Sequence, residues 1–252
     1  MTGPGIAKLA PLSHQSAPLR NKIIAALRSA IETGILTPGT RLIEKDLCDQ
    51  LDVSRTSLRE ALRELQAEGI FEQGSARGLT INTLSREDAE NAYRLRSVLE
   101  ALVVEQFIEK ATDAQLRDLA HEGDALKLAY QSGTLEVMIE CKRAFYDYIC
   151  TGAANPMAFD IINRLVLRTS SLRRHSLLRK ERQVQSIREI DRLVRAIQRR
   201  DVDAARQAAM EHVRNSARSA LSAMARESPA PRPKPATAAV IRKEQKRKEK
   251  VG

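Results

Sequence analysis

The sequence predicts a mainly α-helical protein, in which an N-terminal winged helix-turn-helix is followed by a C-terminal all-α helical bundle. Apolar residues recur at helical spacing along most of the chain, and two short strand-like segments flank a glycine-rich loop near residue 76. A chain of 252 residues can also build two separate hydrophobic cores. The expected segments are a disordered arm at 1–18, a winged helix at 19–83, a helical domain at 84–226 and a disordered basic tail at 227–252.

The segment 44–69 predicts two helices joined by the tight turn Asp52-Val53-Ser54. The second helix has an apolar stripe at helical spacing, formed by Leu58, Ala61, Leu62 and Leu65. Beside that stripe, its first turns carry hydrogen-bond donors for phosphates and base edges, which are Arg55, Thr56, Ser57 and Arg59. Such a helix can enter the major groove of double-stranded DNA, whereas an ordinary helical hairpin with a solvated basic end is the alternative.

The neighbouring segments favour the DNA-binding interpretation. Residues 19–33 form an amphipathic pattern that ends at Gly34, and residues 70–73 and 79–82 predict a β-hairpin around a glycine-rich loop. Two helices, a recognition helix and a hairpin together make a winged helix. Arg77 at the tip of the hairpin is then placed to reach the minor groove or a phosphate.

Three runs within this segment form a dense pattern: Leu36-Thr37-Pro38-Gly39-Thr40-Arg41-Leu42, Val53-Ser54-Arg55-Thr56-Ser57-Leu58-Arg59-Glu60-Ala61-Leu62 and Glu68-Gly69-Ile70. The pattern resembles the N-terminal domain of GntR-type bacterial transcription regulators over roughly residues 19–83. The resemblance implies operator contacts by Lys45, Ser54, Arg55, Thr56, Ser57, Arg59, Arg77 and Gly78. Because one such helix makes few phosphate contacts, two copies in a homodimer are expected to bind a palindromic operator.

Residues 84–226 show helical periodicity throughout and no strand alternation, which predicts an α-helical bundle. Six helices are expected, at 86–110, 113–132, 135–151, 156–176, 184–200 and 201–225. Cap and turn residues separate them at Thr112-Asp113, at Gly133, between Gly152 and Pro156, and near Arg200-Asp201. Basic residues are frequent from 164 to 200, and a solvated helical face is favoured there over a second phosphate-contacting surface.

The helical region carries a looser pattern spread over its whole length: Arg94-Leu95-Arg96-Ser97-Val98-Leu99-Glu100, Phe145, Gly152, Asn155-Pro156, Ala196-Ile197, Asp201, Ala205 and Ala209-Met210-Glu211-His212-Val213. This pattern resembles the FCD ligand-binding domain of the FadR subfamily of GntR regulators. The resemblance implies dimerisation and a small effector, often an organic acid, bound inside the bundle. Many relatives also hold a metal there with one aspartate and three histidines.

The chain departs from that metal pattern. Counted from the matching residues, the aspartate position is Lys142 and two of the histidine positions are Tyr146 and Ile190, so that only His212 remains. A lysine adds positive charge and an isoleucine offers no lone pair for a metal ion. We therefore expect neither a metal nor another cofactor in this domain.

Two interpretations of the altered pocket remain open. In the first, four side chains bind a small organic acid or an acyl effector directly: Arg96, Lys142, Tyr146 and His212. In the second, Tyr146 and Ile190 fill the cavity and Lys142 extends to the surface, which leaves a DNA-binding regulator with a vestigial sensor. An enzyme or carrier with a protein-binding winged helix is a further alternative, although the chain has no G-x-S-x-G, P-loop or H-E-x-x-H motif.

Composition narrows the function further. The net charge of +10 arises outside the winged helix, because residues 19–83 hold equal numbers of basic and acidic side chains. An aromatic content of 3% argues against a stacking platform for single-stranded nucleic acid. The sequence shows no signal-peptide or membrane-spanning pattern, and its three cysteines lack CxxC spacing. These features predict a cytoplasmic protein with free thiols and no membrane partner, and repression is the commoner mode among the regulators that it resembles.

Overall fold

The computed structural model describes residues 17–74 and 78–227 of the chain. Within them it contains ten helices and one two-stranded sheet. The predicted disordered arm and basic tail lie outside the described residues, apart from their innermost residues, which belong to the first and last helices. The predicted wing residue Arg77 lies outside them as well. No helix of the described part combines the length and the apolar character that a membrane crossing needs.

The N-terminal domain is a winged helix, as predicted. Its elements are α1 (Ala17–Thr33), α2 (Glu44–Leu51), α3 (Arg55–Ala67), β1 (Phe71–Gln73) and β2 (Leu79–Ile81). The two strands are antiparallel, with Phe71 opposite Ile81. The turn between α2 and α3 is tight because Asp52 adopts the left-handed conformation, with a φ of 50°, and its backbone N–H donates to the carbonyl oxygen of Cys48.

The core of this domain forms between α1 and α3. The predicted apolar stripe of α3 is confirmed, since its four members are buried: Leu58, Ala61, Leu62 and Leu65. They pack with Ile23, Ile24, Leu27 and Ile31 of α1. Burial of one leucine side chain contributes about 1.5–3 kcal/mol. This packing fixes the position of α3 and leaves its polar face outside.

The described part of the C-terminal domain contains seven helices: α4 (Arg86–Lys110), α5 (Asp113–Ser132), α6 (Leu135–Gly152), α7 (Pro156–Arg168), α8 (Ser170–Leu177), α9 (Lys180–Gln198) and α10 (Val202–Glu227). The first two have the predicted bounds, because the hydroxyls of Ser85 and Thr112 cap their first turns. The prediction of a single helix at 156–176 is wrong. The helix breaks at Thr169, whose hydroxyl donates to the carbonyl oxygen of Leu165 at 2.9 Å.

The helical domain has its own core. Helix α10 packs along α4, and α5 lies between α6 and α9. The largest fully buried side chains of this core include Phe107, Phe145 and Ile190. Gly152 permits close packing at the end of α6, because a Cβ at that position would lie 2.5 Å from the ring of Phe107.

The two domains meet through α1, which packs against α6, α7 and α8. Glu32 of α1 forms an ion pair with Arg143 of α6. Leu167 of α7 is buried in the core of the winged helix. The first helix of the N-terminal domain therefore lies directly on the helical domain.

Candidate DNA-binding face and ligand cavity

The first turn of α3 is held by its own hydroxyl groups. Ser54 is the N-cap residue, and its Oγ accepts a hydrogen bond from the backbone N–H of Ser57 at 3.2 Å. The two Oγ atoms lie 3.0 Å apart. A cap of this kind stabilises a helix by about 1 kcal/mol. Two of the residues predicted to contact DNA therefore also have a local structural role.

The other predicted residues of α2 and α3 lie at the surface. Lys45, Arg55, Thr56 and Arg59 are all exposed. Arg59 Nε donates to Glu44 Oε2 at 2.8 Å, and both side chains remain more than one third exposed. Because a surface ion pair is worth only about 0–1 kcal/mol, a DNA phosphate can replace Glu44 as the partner of Arg59.

The wing brings a further arginine to this face. An isolated β-bridge pairs Arg41 with Thr80 of β2, and Arg41 Nε lies 3.3 Å from the position that a Cβ on Gly78 would occupy. Arg41 was not among the DNA contacts predicted from the sequence, because it lies before α2 in a segment without helical or strand periodicity. Only its pairing with β2 shows that it belongs to the wing.

A cavity of about 420 Å³ lies between the two domains, enclosed by α1, α4, α6, α7 and α8. Three of the four predicted effector-binding residues line it, namely Arg96, Lys142 and Tyr146. The fourth, His212, is 1% exposed and lies behind Lys142. The predicted extension of Lys142 to the surface is wrong, because Lys142 is 5% exposed. Inside the bundle, where Ile190 is fully buried, a space of only about 10 Å³ remains beside Lys142 and Arg182, so the open cavity lies between the domains rather than within the bundle.

Two arginines of the site were not predicted from the sequence. Arg173 lines the cavity, and Arg182 is buried nearby, where its Nη2 lies 2.7 Å from Glu189 Oε2. The prediction of a solvated basic face is therefore wrong for Arg182, whereas Arg173 is half-buried and lines the cavity. No local pattern distinguishes them from the exposed arginines around them, so no sequence signal could have found them.

Several donors at the cavity lack partners. Arg96 donates to Glu100 Oε1 through Nε at 3.0 Å and through Nη2 at 2.8 Å. Arg96 Nη1 and Tyr146 Oη, however, are buried without a hydrogen-bond partner among the described residues. The guanidinium group of Arg173 has neither a hydrogen bond nor an ion pair with any other described residue. Glu100 Oε2 is a buried acceptor without a partner in the same lining. A buried polar atom without a partner costs about 1–3 kcal/mol, so Arg96 Nη1 and Tyr146 Oη favour a ligand that brings acceptor oxygens to them.

The cavity lining combines four arginines with four acidic side chains, and burial changes the pKa of its lysine and of its tyrosine. Burial, followed by the charges of Arg173, Arg182 and Arg96, lowers the pKa of Lys142 well below its ordinary value. Burial also raises the pKa of Tyr146 well above its ordinary value. The Tyr146 hydroxyl therefore stays protonated and can donate to an anion, while burial and the neighbouring arginines favour the neutral form of Lys142.

A buried chain of polar groups continues from Lys142 away from the cavity. Lys142 Nζ lies 3.3 Å from His212 Nε2, and His212 Nδ1 lies 2.7 Å from Glu189 Oε2. Burial, reinforced by Lys142, lowers the pKa of His212 to about 3. For Glu189, burial is outweighed by hydrogen bonds from His212 and Arg182, which lower its pKa to about 2. Because a carboxylate only accepts, Nδ1 of His212 carries the proton and Nε2 accepts from Lys142.

These residues do not fit the metal that the FCD resemblance implies. His212 Nε2 already accepts a hydrogen bond from Lys142, and the other two matching positions carry the phenol of Tyr146 and the aliphatic side chain of Ile190. In the ranges 17–74 and 78–227, no group of three or more His, Cys, Asp or Glu residues is arranged to hold a metal ion. One histidine beside a lysine does not make a zinc or magnesium donor set.

Comparison with known proteins identifies both domains. Residues 19–81 match the gntR family of bacterial regulatory proteins, and residues 91–215 match the FCD domain. The chain belongs to the GntR family. In this GntR protein the winged helix is therefore the DNA-binding domain of a transcriptional regulator, and the FCD domain is its effector-binding domain.

Three relatives of this GntR protein are named as regulators. The regulator YdhC of Bacillus subtilis is 25% identical over 196 residues, which are 74% of this chain and 84% of that protein. The regulator McbR of Escherichia coli is 30% identical over 142 residues, 56% of this chain and 64% of that protein. The repressor RspR of Escherichia coli is 25% identical over 200 residues, and the match covers 79% of this chain and 88% of that protein.

Two solved structures share the fold. The E. coli McbR/YncC structure has a TM-score of 0.75 at 24% identity and covers 82% of this chain and 98% of that chain. The structure of a GntR transcriptional regulator from Rhodococcus sp. RHA1 has a TM-score of 0.68 at 20% identity and covers 82% of this chain and 99% of that chain. Both structures span the winged helix and the helical domain, and they confirm the predicted two-domain architecture.

Proposed function

We propose that this GntR regulator acts in the cytoplasm as a homodimer on a palindromic operator, and that a small anionic metabolite in the inter-domain cavity changes its operator affinity. The proposed mode is repression, which the ligand relieves. The observation that carries the ligand part of this proposal is the group of donors without partners that faces the cavity.

The cavity suits an anion with an apolar body. Arg173 brings a positive charge, while Arg96 Nη1 and Tyr146 Oη are buried donors that a carboxylate or phosphate oxygen can accept from. A hydrogen bond to a charged group contributes about 1.5–3 kcal/mol. Ile139 of α6 and Val166 of α7 also line the cavity and suit the hydrocarbon part of an organic acid or acyl group.

A ligand in this cavity touches both domains. Helix α1 contributes Asn21, Ala25 and Glu32 to the wall, and Glu32 also pairs with Arg143 across the domain contact. Because α1 packs on α3 through the core of the winged helix, a ligand that displaces α1 moves the recognition helix with it. In a dimer this displacement changes the spacing of the two recognition helices and hence the operator affinity.

Helix α4 offers a surface for the second copy. Leu95, Val98 and Leu102 lie three and four residues apart on one face of the helix, and they are 55%, 62% and 37% exposed. A symmetric contact between two α4 helices would cover these side chains and present two winged helices to two half-sites. Two copies would also double the number of phosphate contacts, which a neutral winged helix needs for tight binding.

The DNA contacts proposed for each copy combine the sequence pattern with the structure. They are the predicted residues Lys45, Ser54, Arg55, Thr56, Ser57, Arg59, Arg77 and Gly78, to which we add Arg41. The exposed residues of α3 would contact base edges and phosphates in the major groove, and the wing would contact the neighbouring backbone or minor groove. Replacement of Arg55 and Arg59 by alanine should strongly weaken operator binding. Intact binding would overturn the assignment of the recognition helix.

Thermal unfolding tests the ligand part of the proposal. Metal-stripped protein is heated with divalent metals, with small organic acids and with acyl thioesters, and a ligand at about a hundred times its Kd adds about 2.7 kcal/mol of stability. The control variant Arg164→Met changes an exposed arginine of α7. An acid or thioester that stabilises the wild-type protein and Arg164→Met, but not Arg173→Met, would support the anion cavity. Strong stabilisation by a metal would contradict the chemistry assigned to Lys142 and His212. If no compound in the panel raises the thermal stability, a regulator without an effector would be favoured.

A further inference from the structure

Lys142, His212 and Glu189 form a buried chain of hydrogen bonds that binding of an anion alone does not require. The three side chains come from α6, α10 and α9, and each is at most 5% exposed. The Glu189 carboxylate is fixed from both sides, because Asn215 Nδ2 donates to its Oε1 at 2.6 Å and Arg182 Nη2 donates to its Oε2 at 2.7 Å. That carboxylate sets the tautomer of His212, so that Nε2 faces the amine of Lys142. The amine, the imidazole and the carboxylate therefore form one fixed chain, and its amine end lines the cavity.

The surroundings of Lys142 favour the neutral form of its amine, which is the form that permits nucleophilic attack. The charged groups around it are Arg96, Arg173, Arg182, Glu100 and Glu189, of which Arg96 pairs with Glu100 and Arg182 with Glu189. Arg173 is left as a net positive charge beside Lys142, and this charge together with burial disfavours a second cation. A neutral amine keeps its lone pair, and Lys142 also lines the cavity from which a ligand approaches.

We propose that Lys142 condenses reversibly with the carbonyl group of a 2-oxo acid, so that the effector is held as a Schiff base while its carboxylate lies on Arg96 and Arg173. This inference rests on the anion cavity proposed above and names the class of ligand that it binds. A 2-oxo acid carries its carboxylate next to its carbonyl carbon, which matches a cavity that has guanidinium groups beside a neutral amine.

The condensation balances without an oxidant or reductant. The lone pair of Lys142 Nζ forms a bond to the carbonyl carbon, and the π electrons of the C=O bond move to oxygen, to which the Tyr146 hydroxyl can donate a hydrogen bond. A proton then moves from the attacking nitrogen to the oxygen, which gives a carbinolamine. The oxygen then leaves as water when the nitrogen lone pair forms the C=N bond. The net reaction converts an amine and a ketone into an imine and one water molecule.

Reductive trapping of the full-length protein tests this inference. The protein is incubated with pyruvate or glyoxylate and sodium cyanoborohydride, which reduces the C=N bond to a stable secondary amine, and the modified lysine is located by peptide mass mapping. We expect one adduct per chain on the peptide that contains Lys142, at reagent concentrations that leave the exposed Lys22 and Lys45 unmodified. Lys142→Met should lose the adduct, and Lys22→Arg should keep it.

Lactate provides the comparison that separates the two proposals, because it has the same carboxylate and chain length as pyruvate but no carbonyl group. If lactate and pyruvate both stabilise the wild-type protein and no adduct forms at Lys142, the covalent inference is overturned and the anion cavity stands. If the adduct is spread over surface lysines, the inference is overturned as well. If neither acid stabilises the protein and no adduct forms, both the inference and the anion cavity fail for this class of ligand. An adduct confined to Lys142 in the wild-type protein supports both, whether or not the Lys142→Met variant folds.

Discussion

Replacing Arg173 with methionine should affect stability and ligand binding in opposite directions. The Arg173 guanidinium lies in the cavity without an ion pair to any described residue, and burial, followed by the charge of Arg96, lowers its pKa. Methionine has a similar length and no charge. Its introduction removes a partly buried cation without an ion pair, which should raise the free energy of unfolding of the ligand-free protein by about 1 kcal/mol. For a chain of this size that gain raises Tm by about 2–4 °C.

Ligand binding should weaken in the same variant. Loss of one charge-assisted hydrogen bond costs about 1.5–3 kcal/mol, which corresponds to an affinity loss of about 10–150-fold. Differential scanning fluorimetry measures the first effect, and isothermal titration calorimetry with the stabilising acid measures the second. The control Arg164→Met removes an exposed arginine from α7 and should change neither quantity. If Arg173→Met is less stable than the wild-type protein without ligand, Arg173 is not a cation without an ion pair. If the variant binds the acid with unchanged affinity, Arg173 does not contact the anion.

Three further predictions concern DNA binding, assembly and pH. Replacing Arg55 and Arg59 by alanine should make the logarithm of the DNA-binding constant less dependent on the logarithm of the salt concentration, by a slope of about 0.9 for each phosphate that the variant no longer neutralises. The Tm should change little, because both side chains are exposed. An unchanged slope in a fluorescence anisotropy titration would contradict the DNA-binding face assigned to α3. Val98→Glu should convert the dimer into a monomer in light scattering and weaken operator binding, and a variant that stays dimeric would remove α4 from the interface. Acid should destabilise the protein. The pKa of His212 is about 3 in the folded protein and 6.5 in an ordinary histidine, so below pH 6.5 the unfolded chain binds a proton that the folded protein does not bind. The free energy of unfolding should then fall by about 1.4 kcal/mol for each pH unit towards pH 3, and a His212→Asn variant with the same pH dependence would contradict this cause.

Elements with local signals were predicted most accurately from the sequence. Helices α4 and α5 have the predicted bounds because Ser85 and Thr112 cap them, and Gln115 completes a capping box with Thr112. The recognition helix was placed by the turn Asp52-Val53-Ser54 and by its apolar stripe. The break at Thr169 was missed, because neither glycine nor proline marks it and a buried threonine hydroxyl that bonds back to the helix causes it.

The ligand cavity was predicted only in part, because tertiary packing assembles it. The spacing of Lys142 and Tyr146 on one helix indicated a shared face, and both line the cavity. Arg173 and Glu189 reach the site from α8 and α9, and their local sequence resembles that of exposed helical residues. The charge state of Lys142 depends on burial and on three arginines distant in sequence, so that its role as a neutral amine could not be inferred from spacing.

An anion in the inter-domain cavity is expected to control operator binding. This is tested by the affinity of the wild-type protein and of Arg173→Met for an operator fragment selected from random DNA, titrated with the stabilising acid. We predict that the acid changes the wild-type Kd for DNA by about 5–150-fold and leaves that of Arg173→Met almost unchanged. The same shift in both proteins, or no shift in a wild-type protein that binds the acid, would mean that the cavity does not control DNA binding.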